Sequence, residues 1–152
     1  ESTEILRPIS YEINFSSPFY NPLQLVYGWK EKIMDERGIF YRIGPFVKLV
    51  LKPRKNLRKD NKELIIEGQI IGNLSSNYSV IMEIYAEMNL LCQYQLPLGN
   101  NFSIMVYLPK NFGINRAVEF LIAWRVIDSN GASIIPEVGD EVFPLISRIL
   151  WN

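Results

Sequence analysis

Histidine is absent from this chain and cysteine occurs once, at Cys92. The first absence removes His-based catalytic triads, imidazole metal ligands and the usual proton shuttle in one step. The second rules out an intramolecular disulfide and leaves a zinc site to rest on carboxylates alone. Cys92 lies within the apolar run LLCQYQL, where a buried thiol behaves as a small hydrophobe. Missing too are a nucleophile elbow, a P-loop, a GxGxxG turn, paired CxxC motifs and HExxH. The expectation is a domain without metal, cofactor or catalytic activity of its own. Excess charge is also lacking: 16 basic residues balance 16 acidic ones, whereas a protein that grips nucleic acid through its phosphates is normally strongly basic. No apolar run reaches the roughly 18 to 20 residues that span a bilayer, and the N-terminus has no signal-peptide hydrophobic stretch. A cytoplasmic location without a transmembrane segment is therefore expected.

What is present is apolar and aromatic. Of 152 residues, 48% are hydrophobic, enough to exclude a disordered chain and to build one core, but too few residues for two comfortable domains. The chain opens on Glu1 rather than Met, and residues 1–152 read as one domain excised from or fused to something longer. Period-2 alternation dominates. YEINF aligns Tyr11, Ile13 and Phe15; VKLVL aligns Val47, Leu49 and Leu51; LIIEGQII aligns Leu64, Ile66 and Ile70 against Glu67 and Gln69. VIMEIYAEM aligns Val80, Met82, Ile84 and Met88, FSIMVYL aligns Phe102, Ile104, Val106 and Leu108, and VEFLIAWRV aligns Val118 through Val126 against Glu119 and Arg125. Turn-rich stretches such as SSPFYNP, PLGNN and DSNGAS separate the runs, and Asn130-Gly131 carries the strongest type I′ hairpin signal. One helix candidate stands out, about two turns from Trp29 to Arg37, stopped by Gly38. The pattern predicts an all-β fold, an antiparallel β-sandwich of jelly-roll type, with under about a tenth of its residues helical against a usual third.

The chemistry on offer is that of binding. Paired carboxylates can serve a glycosidase, and Glu83 and Glu87 share a face by spacing, but evenly spaced charges are ordinary on a solvated sheet. A sugar ring asks for flat aromatic faces beneath its C–H bonds and for Asp, Glu, Asn or Arg around its hydroxyls. Trp29, Glu36, Arg37 and Tyr41 supply that set within LVYGWKEKIMDERGIFYRIG. AWRV supplies Trp124 and Arg125, which a strand points to opposite faces. The basic run holding Lys52, Arg54, Lys55, Arg58 and Lys59 reads either as a solvated loop or as a peripheral contact with anionic lipid at the inner membrane.

The order of these features resembles a carbohydrate-binding-module-like β-sandwich domain attached to glycosyltransferases and sugar transferases of bacterial surface-polysaccharide synthesis. The likeness is carried by an apolar strand ending in Gly28 and Trp29, an acidic turn with Glu36, then Gly38 and Tyr41. Leu108-Pro109 follow in FSIMVYLPK, and Pro136, Glu137, Gly139 and Asp140 in IIPEVGDEVFPLISRILW. Tyr41 stands where the family has a second Trp, and Asp140-Glu141-Val142 replaces its Asp-x-Arg. The resemblance implies a module that holds glycan or positions an adjacent glycosyltransferase domain. Its sugar-facing candidates are Glu36, Arg37, Tyr41, Glu137 and Asp140. Its structural corner is Gly28, Trp29, Gly38, Pro136 and Gly139. The alternative is a docking domain that contacts protein and never sugar.

Overall fold

A computed structural model of the chain describes residues 8–53, 63–72, 78–97, 99, 101–109, 112, 116–135 and 142–152. The alternating runs become strands: β1 (Glu12–Asn14), β2 (Leu25–Asp35), β3 (Gly38–Leu51), β4 (Glu63–Gly72) and β5 (Ser79–Ala86). β6 (Asn89–Pro97), β7 (Asn101–Tyr107), β8 (Val118–Ile127), β9 (Ser133–Ile134) and β10 (Val142–Trp151) complete the set. All are paired antiparallel. A single 3-10 turn, Pro22–Gln24, is the only helical element among the described residues.

The pairings run in one path, β6-β5-β8-β3-β10-β4-β7, with β1, β2 and β9 added to β10, β3 and β8 respectively. The right-handed twist of strands curls so long a sheet upon itself, and here it nearly closes into a barrel. Its two end strands meet across a seam where the Tyr94 hydroxyl of β6 donates to the Met105 carbonyl of β7 at 2.6 Å. The all-β antiparallel expectation holds. One face of each alternating run fills the interior: Ile13, Val47, Leu51, Ile66, Ile70, Val80, Met82, Ile84 and Phe120 are all 0% exposed. Glu119 and Arg125 face water from β8, as the spacing requires.

Three expectations change. Trp29 to Asp35 is not helical but the second half of β2, and Glu36-Arg37 is a two-residue hairpin turn closed by the Asp35↔Gly38 pair. Among the described residues β2 is an edge strand whose only ladder partner is β3. Much of its charge therefore stays in solvent on either face, and bulges after Leu25, Tyr27 and Trp29 scramble the period-2 pattern. Met88 leaves the interior for the surface, because Ala86↔Asn89 close β5 onto β6 and make Glu87-Met88 the loop between them. Both residues have positive φ, 49° and 71°, the type I′ geometry usually given to Asn and Gly. Asn130-Gly131 does lie in a hairpin, but a five-residue one between Ile127 and Ser133. Only Gly131 is left-handed there. The Asp128 carboxylate accepts from the backbone of Asn130 and Ala132 at 2.9 and 3.0 Å and sets the longer loop.

Candidate functional site

The first half of β2 is held against β3 by a glycine. At φ +85°, a Cβ on Gly28 would lie 1.9 Å from the Phe46 carbonyl oxygen, so only glycine lets the strands approach this closely. The next residue, Trp29, turns its ring inward and donates Nε1–H to the Lys48 carbonyl at 3.0 Å. Its ring meets buried Phe15 at 5.5 Å and stands edge-on to Tyr41 at 5.8 Å. Tyr41 in turn lies 4.9 Å from Phe15, and Tyr20 5.2 Å. Trp29 and Tyr41 are thus two members of a four-ring cluster packed on the core. Tyr41 is half-buried there and packed against the core.

The β2–β3 hairpin ends in a tight local network. The Asp35 carboxylate accepts from the Arg37 backbone N–H at 2.8 Å, and its other oxygen takes both Nε and Nη2 of the same guanidinium at 3.1 and 2.6 Å. These bonds from Arg37 hold the Asp35 carboxyl below the ordinary carboxylate range. Beside this tip opens a groove of about 250 Å³, lined by Arg37, Phe40, Glu67, Asn101, Phe102 and Ser147. It forms where β3 parts from β10: the two pair only at Tyr41 and Arg42, and β1 takes over β10 from Arg148 onward. Glu36 is exposed at the turn next to the groove but does not line it.

A second groove, about 200 Å³, lies across the segment from Ser10 to Tyr20 and is lined by Tyr11, Glu12, Asn14, Ser17, Phe19 and Tyr20. Buried Gln24 anchors it, joining Ser10 to β3: its carboxamide nitrogen donates to the carbonyls of Ser10 and Val50 at 3.1 and 2.9 Å, and its oxygen accepts from Ser10 N–H. Burial, and then the neighbouring Tyr41 phenol, push the Tyr20 phenol above its ordinary pKa. In sequence, SSPFYNP reads only as a turn. The signal in it was the aromatic pair Phe19-Tyr20 between two prolines.

The remaining candidates are dispersed. Glu83 binds Arg125 at 2.6 Å and accepts from the Tyr85 hydroxyl at 3.1 Å, while Glu87 holds the Arg116 guanidinium with both oxygens. The two carboxylates that spacing placed on one face thus each serve a separate surface arginine. Trp124 packs partly buried on the core and donates to the Gly44 carbonyl at 2.6 Å. Burial pushes the Cys92 thiol up. Among the described residues no group of three or more His, Cys, Asp or Glu side chains converges, and no helix is long and apolar enough to cross a membrane. Pro136, Glu137, Gly139, Asp140 and the basic Arg54, Lys55, Arg58 and Lys59 lie outside the described residues; Lys52, two residues before Arg54, is half-buried. The structure therefore brings Arg37 and Gly38 to one groove, takes Trp29 and Tyr41 into the packing, and leaves Glu36 at the tip.

No protein-family model matches the chain, and no curated protein shows significant similarity to it.

Proposed function

We propose that this domain is a non-catalytic, carbohydrate-binding accessory module that holds glycan beside, or positions, a glycosyltransferase building a bacterial surface polysaccharide. The observation that carries the reading is the groove at the β2–β3 tip. It offers donors and acceptors together (Arg37, Glu67, Asn101 and Ser147) over the edges of Phe40 and Phe102, and it is open to solvent. Hydroxyl-rich ligands are recognised by such mixed polar rims over apolar carbon. The likeness of the Gly28-Trp29…Gly38…Tyr41 segment to modules carried by polysaccharide glycosyltransferases supports the second half of the proposal. It also supports work on the cytoplasmic side of the inner membrane, where the basic run from Lys52 would meet anionic headgroups.

A glycan array followed by calorimetric titration tests the reading. A few polar and aromatic contacts leave a weak affinity once ordering costs are subtracted, with Kd between roughly 10 μM and 1 mM. No glycan above background refutes it. The docking-domain reading is favoured by a different observation, the exposed Tyr27 and Phe46 rings, at 65% and 58%. Both lie on the outer face of β2 and β3, where Tyr27 opposes Lys48. In that case Phe46→Ser would abolish capture of the adjoining transferase domain and leave the array blank.

A further inference from the structure

Phe19 is 74% exposed and stands at the rim of the Ser10–Tyr20 groove with Tyr11 and Tyr20 beside it. Single exposed apolar side chains are ordinary; an exposed ring beside two tyrosines in a groove with polar walls is a more specific arrangement. The backbone beneath it is set by successive local bonds. Ser17 N–H donates to the Asn14 carbonyl at 3.0 Å, Ser16 N–H to Asn14 Oδ1 at 3.0 Å, and Phe19 N–H to Ser17 Oγ at 3.2 Å. Asn21, 5% exposed, then caps the 3-10 turn through Leu23 N–H. A ring carried on so fixed a turn loses little freedom when a ligand covers it. The polar groups are oriented too. Asn14 Oδ1 is taken, which leaves its amide N–H groups as the donors. Glu12 commits one oxygen to Arg148 Nε at 2.7 Å, which leaves the other as an acceptor.

We propose that this groove is the stacking subsite of the module: Phe19 covers the C–H face of a neutral hexopyranose, and the Asn14 amide and the Glu12 carboxylate bond its hydroxyls. The proposal rests on the glycan-binding reading and names its site. A flat ring over carbon with one donor and one acceptor at its edge matches a sugar that presents both alternately. A uronate carboxylate would instead meet Glu12. The two grooves share one segment, with Asn14 and Ser17 on one and Ser16 on the other. Successive units of a single glycan chain can therefore occupy both.

The test uses the isotope-labelled chain with the methyl glycosides of glucose, galactose, mannose and N-acetylglucosamine, each up to about 10 mM, a range that reveals millimolar affinities. The expected result is saturable shifts at the amides of Ser10 to Asn14 and Ser17 to Asn21. Phe19→Ala should weaken them about tenfold with an unchanged melting temperature, and Phe19→Tyr should keep them. Saturable shifts confined to the Arg37–Phe40 and Asn101 amides, with Phe19→Ala titrating like the wild type, would overturn this subsite and leave the glycan reading standing. No saturable shift with any of the four sugars would overturn both.

Discussion

Two aromatic clusters sit along β10, and they are finished in opposite ways. At its end Trp151 meets Phe120 edge-on at 5.4 Å, with both rings 0% exposed. Phe112 closes the group at 6.0 and 6.4 Å, and the Arg116 guanidinium lies over Phe112 at 5.8 Å. Further back, where Phe15 N–H donates to the Ser147 carbonyl, Phe15 gathers Tyr20, Trp29 and Tyr41, and only Phe15 itself is fully buried. The difference follows from the strands that carry the rings. Trp151 is flanked on both sides: its residue pairs with Leu64 of β4, and its N–H donates to the Tyr11 carbonyl at 2.8 Å. Trp29 rides an edge strand, and Tyr20 a loop. The first cluster can only contribute packing. The second packs with its inner ring and presents a half-exposed surface that merges through Tyr20 into a groove. Aromatic content alone does not separate these two uses; the number of flanking strands does.

The sharpest way to break the comparison is Trp151→Ala. Truncating a fully enclosed Trp should cost about 3 to 5 kcal/mol, seen as a fall in the denaturation midpoint at constant slope. A loss no larger than that of Trp29 variants would show that the two clusters are equivalent. Gly28→Ala should come next, at about 2 kcal/mol or more, because the left-handed backbone and the Phe46 carbonyl both oppose a Cβ. A neutral result in chemical denaturation would mean that β2 is not held to β3 at this point. Trp29→Phe should cost about 1 to 2 kcal/mol, chiefly the bond to Lys48, while glycan titration stays as in the wild type. Loss of binding without loss of stability would move Trp29 from packing to ligand contact.

The smallest effect belongs to the hairpin tip. The Asp35 carboxyl holds its proton less tightly folded than unfolded, because Arg37 bonds its charged form. Its contribution is therefore present above the ordinary carboxylate pKa of about 3.9 and is lost as pH falls through the lower folded value. The protection factor of the Arg37 amide, its exchange rate relative to the intrinsic rate at each pH, should fall across that acid window and be flat above it; Asp35→Asn should remove the dependence. An unchanged profile in Asp35→Asn would show that another group titrates there.

The legibility of this chain varied with how strictly each strand is walled in. β3, β4, β7 and β8 announce themselves, because Val47-Leu49-Leu51 or Ile104-Val106-Leu108 must alternate when one face is core and the other is not. β2 does not: its bulges and its unpaired edge let charge fall on both faces, so the same residues read as helix. Gln69 shows the reverse error. Spacing set it opposite the core, yet it is 7% exposed with its Oε1 unpartnered, because sheet curvature can enclose the outer face as well. For the candidate site, Arg37 stands out in sequence through its charge and turn context and lines a groove, and Tyr41, read as a rim aromatic, packs half-buried beside Phe15. Phe19 and Tyr20 do not stand out in sequence, because a Ser- and Pro-rich stretch reads as connection.

By itself, then, the amino-acid order determined the class: antiparallel strands with an alternating interior, no histidine chemistry, and aromatic and polar groups of a kind that can meet sugar. These follow from composition and from a period of two, which are local properties of a chain. Which aromatics stay half-exposed and which are enclosed in the core was decided only by the tertiary structure. That choice depends on register and on how many strands flank a residue, and both arise from partners distant in sequence: Trp29 from Lys48, Trp151 from Tyr11, Gln24 from Ser10 and Val50. Local sequence cannot carry it, since a ring of the same type lowers the free energy equally well by entering the core or by covering a ligand.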